Sequence, residues 1–227
     1  VSAWSAALVL APRHPGAIDG LKRNLRGLSD WEGLAEVIAE EASHTPKSHA
    51  APLFAELTSL YLDKLSLLGP GEAALRRLVS LDEKDAAARH RLAGLLETQA
   101  LFSESMGLLE EAAALEPAPT AAATLRSAAA LAIRGGDEEG TLKLLRRAHA
   151  LQPANGDDLE RLAEALYLRG ALKEALPLHQ TLAAGVSFED RPDDAERVML
   201  RLADLAEQLG DAAVAEATLK KLVQERP

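Results

Sequence analysis

An all-α fold of stacked helical hairpins is what this sequence predicts, and three observations predict it. The first is composition: 48% of the 227 residues are apolar and only 3% are aromatic. Ala and Leu dominate the apolar set and β-branched residues are few, which favours helix and disfavours sheet. The second is a returning phrase, "ALVLAP" at 7–12, "AAALEP" at 112–117, "AHALQP" at 148–153 and "LVQERP" at 222–227. Each closes an amphipathic stretch with Pro, which cannot continue a helical hydrogen-bond ladder. The third is spacing. What precedes the phrase also recurs, as one amphipathic stretch, a tight turn and a second stretch, at a period of about 34 to 40 residues that marks a helical-hairpin solenoid.

In chain order, residues 1–12 read as half a repeat, a lone second helix with Trp4, Leu8 and Leu10 on its apolar stripe. Six hairpins follow, at about 15–48, 51–84, 86–118, 119–154, 156–187 and 192–227, and together they read as one array. The first carries Lys22 and Glu41 where small residues belong, and "SDWEGLAEVIAEEA" sets Trp31 just inside its second helix. The second contains the irregular "LSLLGPGEAA", which leaves its register open by one residue. The fourth turns at Gly136-Asp137, a helix stop followed by an N-cap, and the fifth turns at Gly170. The longest connection, "GVSFEDRPDDAE", is expected to fold Phe188 back over Leu182 and to cap the next helix with Asp193 or Asp194.

Leu92-Ala93, Ala128-Ala129, Leu162-Ala163 and Leu202-Ala203 occupy one recurring position of the first helices. Ala175 and Ala215, then Ala112 and Ala148, occupy two recurring positions of the second helices. Small side chains there let helix axes approach to roughly 8–10 Å. With Tyr61 and the closing Pro12, Pro117, Pro153 and Pro227, the layout resembles the tetratricopeptide repeat family, as it occurs in long bacterial arrays. The resemblance implies a right-handed α-solenoid acting as a non-catalytic protein-interaction module or scaffold, with first helices lining a concave groove. Carried over by motif position, the groove residues are Arg23, Arg26, Ser59, His90, Arg91, Glu97, Arg126, Arg134, Glu160, Glu164, Tyr167, Leu200, Arg201, Asp204 and Glu207. The groove is then basic over four hairpins and acidic over two, and fits a protein or peptide segment, acidic near Arg91, Arg126 and Arg134. The plainer reading gives these charges partners along their own helices, such as Arg161 beside Glu160 and Glu164. A carboxylate clamp for chaperone tails is disfavoured, because Asn24 and Asn155 are the only asparagines.

A net charge of -10 opposes phosphate backbones and anionic lipid. RNA binding by a half-helical-repeat groove is the principal alternative, carried by the Arg residues, and a helical enzyme is a distant third. The chain has no cysteine, no membrane-spanning apolar run and no phosphate-loop, dinucleotide or hydrolase motif. No cofactor and no metal are expected. Glu41-x-x-His44 has ligand spacing but stands alone, and His44 and His49 merely flank a loop. The chain reads as part of a longer protein, with end-to-end self-association through uncapped terminal helices as a further possibility. Resemblance to bacterial arrays favours the cytoplasm and keeps the periplasm and outer membrane open.

Overall fold

A computed structural model describes residues 14–225, and the half-repeat with Trp4, Leu8, Leu10 and Pro12, like Pro227, falls outside those residues. Among the described residues the chain is wholly helical: α1 (Pro15–Gly27), α2 (Trp31–His44), α3 (Lys47–Ser59), α4 (Leu68–Leu81), α5 (Ala86–Thr98), α6 (Phe102–Ala113), α7 (Ala118–Arg134), α8 (Glu138–Leu151), α9 (Gly156–Leu168), α10 (Leu172–Gly185), α11 (Pro192–Gln208) and α12 (Ala212–Glu225). Odd and even helices pair into antiparallel hairpins. The chain divides into two compact units, Val1–Leu115 and Glu116–Pro227. Inside each unit the second helix of one hairpin packs against the first helix of the next, α2 on α3 and α4 on α5, then α8 on α9 and α10 on α11.

The packing follows the small-residue code. Leu92, Ala93, Ala128, Ala129, Leu162, Ala163, Leu202 and Ala203 are all buried, as are Ala112, Ala148 and Ala175. Ala215 is only half-buried. In the first hairpin, where small residues are missing, Lys22 Nζ donates to Glu41 Oε2 at 2.6 Å from α1 to α2, so two long side chains fill the gap as an ion pair. Trp31, Phe54 and Tyr61 pack against the adjoining core of Leu34, Ile38, Leu57 and Leu60.

Each hairpin turns through one residue in the left-handed region. In the second unit it is glycine, Gly136 (φ 73°), Gly170 (φ 76°) and Gly210 (φ 77°), and in the first it is Ser29 (φ 56°), Ser66 (φ 54°) and Ala100 (φ 59°). Glycine is free of the Cβ penalty there, whereas a side chain costs about 1–2 kcal/mol. The next N–H reaches back to the carbonyl five residues earlier, Asp30 to Leu25, Leu101 to Leu96, Asp137 to Ala132, Ala171 to Leu166 and Asp211 to Ala206, at 2.8–3.0 Å, which satisfies a helix-end acceptor. Asp30, Asp137 and Asp211 then cap the second helix by accepting from the N–H three residues on.

The second hairpin departs from this pattern. Its first helix ends in a π-helical segment, Leu60–Lys64, and the closing bond runs from Leu67 N–H to the Tyr61 carbonyl, six residues back. One residue has been inserted, which is what a π-turn does to a helix. That insertion is the source of the open register, and it places Leu62 against Gly71, where an added Cβ would stand 2.2 Å from Leu62 Cδ2.

Across the long connection Phe188 and Leu182 both pack on the cluster of Ala183, Val198, Met199, Leu202 and Leu222, so Phe188 folds back. The capping expectation fails: α11 begins at Pro192, so its N-cap is Arg191, which makes no side-chain capping bond, and Asp193 and Asp194 lie inside the first turn.

Candidate functional site

Helical spacing puts the charged residues of each first helix on a stripe, although Glu207, exposed at the end of α11, lines a separate recess with α12 residues. In the first unit Arg23 is exposed, and Arg26 Nη2 of α1 donates to Glu56 Oε1 of α3 at 2.5 Å. Arg91 of α5 donates through Nη2 to Asp63 Oδ1 at 2.5 Å and through Nη1 to Ser59 Oγ at 3.4 Å, while His90 and Glu97 are half-buried.

In the second unit α7, α9 and α11 carry the rest. Arg126 Nη1 donates to Asp158 Oδ2 at 2.7 Å and to Gln152 Oε1 at 3.3 Å. The Asp158 side chain is 1% exposed, and its Oδ1 has no protein partner. Positions 160, 164 and 167 fall on one face of α9 by i, i+4, i+7 spacing, and 197, 201 and 204 do so on α11. The two stripes meet rung by rung. Arg197 Nη2 pairs with Glu160 Oε1 at 2.6 Å, Arg201 Nη2 donates to Glu164 Oε1 at 2.8 Å, and Tyr167 Oη donates to Asp204 Oδ2 at 2.5 Å. Arg201 also lies 4.0 Å over the Tyr167 ring, and Gln208 Nε2 donates to Asp204 at 2.9 Å. The Tyr167 hydroxyl, then Gln208, hold the Asp204 carboxyl below its ordinary range. Behind Tyr167, His179 of α10 sits edge-on at 6.5 Å between ring centroids, and its burial pushes the imidazole pKa down.

The plainer sequence reading is corrected in one respect. Glu160 and Glu164 take their partners from the next hairpin, not from Arg161 on their own helix. The linked residues stand 28 to 37 positions apart, one repeat on. The partners do not stand at equivalent motif positions: Glu164 lies six residues before Gly170 whereas Arg201 lies nine before Gly210, so neither motif position nor spacing within one helix marks them.

The pairing changes what the groove residues offer. Arg26, Arg91, Arg126 and Arg201 each already hold a carboxylate, and Arg134 is exposed at the end of α7. The first helices of the second unit also leave aliphatic side chains open: Ile133 is 65% exposed, Leu168 73% and Leu200 46%. Ile133 and Leu168 line an open cleft of about 580 Å³ between α7 and α9, together with the buried Ala129, Thr141 and Leu145 and the charged Arg126, Asp157, Glu160, Arg161 and Glu164. The lone ligand-spacing pair is dispersed, since His44 bonds Glu40 at 2.9 Å while Glu41 bonds Lys22. Among the described residues no three His, Asp or Glu side chains converge as a metal site, and no helix is long and apolar enough to cross a membrane.

No family model and no curated protein matches the sequence. Solved structures do. A chain in the structure of Naa15/Naa10 bound to HypK-THB superposes over 92% of this chain and 37% of its own at 17% identity, with a TM-score of 0.52. YrrB, described as a TPR protein with an unusual peptide-binding site, gives 16% identity over 85% of this chain and 94% of its own, TM-score 0.49. PilF of Pseudomonas aeruginosa gives 16% over 92% and 90%, TM-score 0.43. The fold is tetratricopeptide-like.

In this tetratricopeptide-like frame both asparagines make local hydrogen bonds. Asn24 Nδ2 donates to Gly20 O of its own helix at 3.0 Å, and Asn155 caps α9 by accepting from the N–H of Asp157 and of Asp158.

Proposed function

We propose that the protein is a non-catalytic interaction module that holds a segment of another protein along the first helices of its second unit. The observation that carries this reading is the cleft between α7 and α9, where Ile133 and Leu168 stand exposed beside Arg126, Glu160 and Glu164, each of which holds an ion-pair partner. Exposed aliphatic side chains inside a polar rim are the anatomy of a protein-binding surface, in which desolvated aliphatic or aromatic anchors supply most of the affinity. Paired arginines make a poor track for RNA phosphates, since each would have to exchange a carboxylate for a phosphate. They equally weaken the case for an acidic segment gripped at Arg91 and Arg126. An apolar anchor with a mixed-charge flank fits better. The solved Naa15/Naa10 structure, a complex with HypK-THB, gives a precedent of the same fold in an assembly.

The test is crosslinked capture from source-cell lysate, comparing the native chain with an Ile133→Glu/Leu168→Glu variant and with Arg23→Glu, each checked for helicity. A partner held by the native chain and by Arg23→Glu, but lost by the double variant, supports the cleft. Equal capture by all three forms would sink it.

A further inference from the structure

The first helices of the second unit differ in charge. α7 carries two arginines and no carboxylate, whereas α9 and α11 together carry nine carboxylates and three arginines. An open recess of about 600 Å³ is lined by residues of α9 and α11. Leu200, 46% exposed, and Tyr167 are its uncharged lining. Its carboxylates are Asp193, Glu196 and Asp204, and its cations are Arg197 and Arg201. Both cations are engaged by carboxylates that line the α7–α9 cleft, Arg197 by Glu160 at 2.6 Å and Arg201 by Glu164 at 2.8 Å. Arg197 holds Asp194 as well, at 3.2 Å. The two ion pairs across the helices therefore form a wall shared by the cleft and the recess. On the α11 side of that wall, around Leu200, negative charge is in excess.

We infer that the segment held in the α7–α9 cleft continues across this wall and sets lysine or arginine side chains into the α9–α11 recess. Resting on the interaction-module reading above, this narrows the partner to a protein segment whose aliphatic anchors are flanked by basic residues. Charge complementarity identifies the occupant. An acidic flank would meet Asp193, Glu196 and Asp204 with like charge, and a neutral one would bring them nothing, whereas a basic side chain supplies the missing sign. Its aliphatic stem can lie along Leu200 while the charged head stays among the carboxylates. Packed helices stand roughly 10 Å apart and an extended chain covers about 3.3 Å per residue, so the basic residues are expected about three or four positions from the aliphatic anchors. Carboxylates on a solvated rim set the choice of partner and the rate of encounter, and the aliphatic anchors supply most of the affinity.

The experiment selects a random peptide library displayed on phage against the full 227-residue chain, then measures the enriched peptides by fluorescence anisotropy. Enriched peptides are expected to combine aliphatic residues with lysine or arginine at that spacing and to bind more weakly as salt rises. The near-isosteric Asp193→Asn/Glu196→Gln variant is expected to raise their Kd by about three- to tenfold, and Ile133→Glu/Leu168→Glu to abolish binding, both at unchanged helicity. The same peptides with glutamine in place of their basic residues are expected to bind the native and Asp193→Asn/Glu196→Gln chains equally, which separates lost charge from lost structure; unequal binding there overturns the inference. Peptides that need Ile133 and Leu168 but show no basic excess, or that are indifferent to Asp193→Asn/Glu196→Gln, also overturn it and leave the interaction-module reading standing. Peptides indifferent to Ile133→Glu/Leu168→Glu, or no enrichment at all, remove both.

Discussion

The two units build the same hairpin from different local chemistry. In the first, the left-handed turn positions are Ser29, Ser66 and Ala100, one helix carries a π-insertion, and the links between successive first helices are single pairs, Arg26 to Glu56 and Arg91 to Asp63. In the second, the turns are glycines, the first helices are regular, and α9 and α11 are joined by three rungs while α7 reaches α9 through a carboxylate held out of water. The difference teaches that hairpin stacking sets the architecture and that turn residues and charge links adjust to it. A left-handed alanine is tolerated because the helices on either side bury enough apolar surface to outweigh a strain of about 1–2 kcal/mol.

The comparison breaks most sharply at Arg126. Replacing it by Ala strands the Asp158 carboxylate in the protein interior, and the expected loss is about 3–5 kcal/mol, read from urea unfolding. The equivalent first-unit change, Arg91→Ala, removes a half-exposed pair and is expected to cost no more than about 1 kcal/mol. Equal losses would erase the distinction drawn between buried and surface links. Next comes the π-insertion. Gly71→Ala drives a methyl into Leu62, with an expected cost of about 1–3 kcal/mol in the same assay, and a neutral result would mean that α3 and α4 repack freely around the inserted residue.

Smaller effects should appear at the turns, with opposite sign in the two units. Gly170 has open space around its missing Cβ, so Gly170→Ala measures backbone strain alone and is expected to lower stability by about 1–2 kcal/mol. Ala100→Gly is expected to raise it by about 0.5–1 kcal/mol, the relieved strain less glycine's added unfolded-state entropy. A thermal midpoint that moves the same way for both would contradict the assignment of strain to the first unit.

The smallest and most conditional effect is pH dependence at His179. Burial lowers its folded-state pKa from the ordinary 6.5, so the unfolded chain binds the proton more readily. Stability from this site is full above pH 6.5 and falls as pH drops from 6.5 toward the depressed folded value. Glu160 and Glu164 of α9 temper the loss, and Arg201 of α11 deepens it. The measurement is the difference in midpoint between pH 7.5 and pH 5.5 for the native chain and for His179→Leu. A native chain no more acid-sensitive than the variant would remove the histidine from the account.

Much of the fold was legible because its determinants are periodic. The Leu-small pairs, Gly136, Gly170 and the recurring Ala-Leu-x-Pro endings are each one residue type required by one backbone event, so a linear reading recovers them. Ser29 and Ala100 were not legible as turn residues, since nothing local prefers them at positive φ and only packing on both sides holds them there. The candidate site was harder for the same reason. Arg91, Arg126, Glu160, Glu164 and Arg201 could be assigned to the first-helix stripe by motif position, but not to their partners.

The sequence by itself determined the class of fold, its repeat period and the helices that form hairpins, because helix propensity, 3.6-residue patterning and chain-breaking residues act over a few positions. Only the tertiary structure decided which charges were spent on one another and which aliphatic side chains, Ile133, Leu168, Leu219 and Val223, were left facing solvent. A residue's partner one repeat away depends on how successive hairpins are rotated and offset. Small errors in that geometry move a guanidinium from one carboxylate to open water, and no local preference of the chain encodes it.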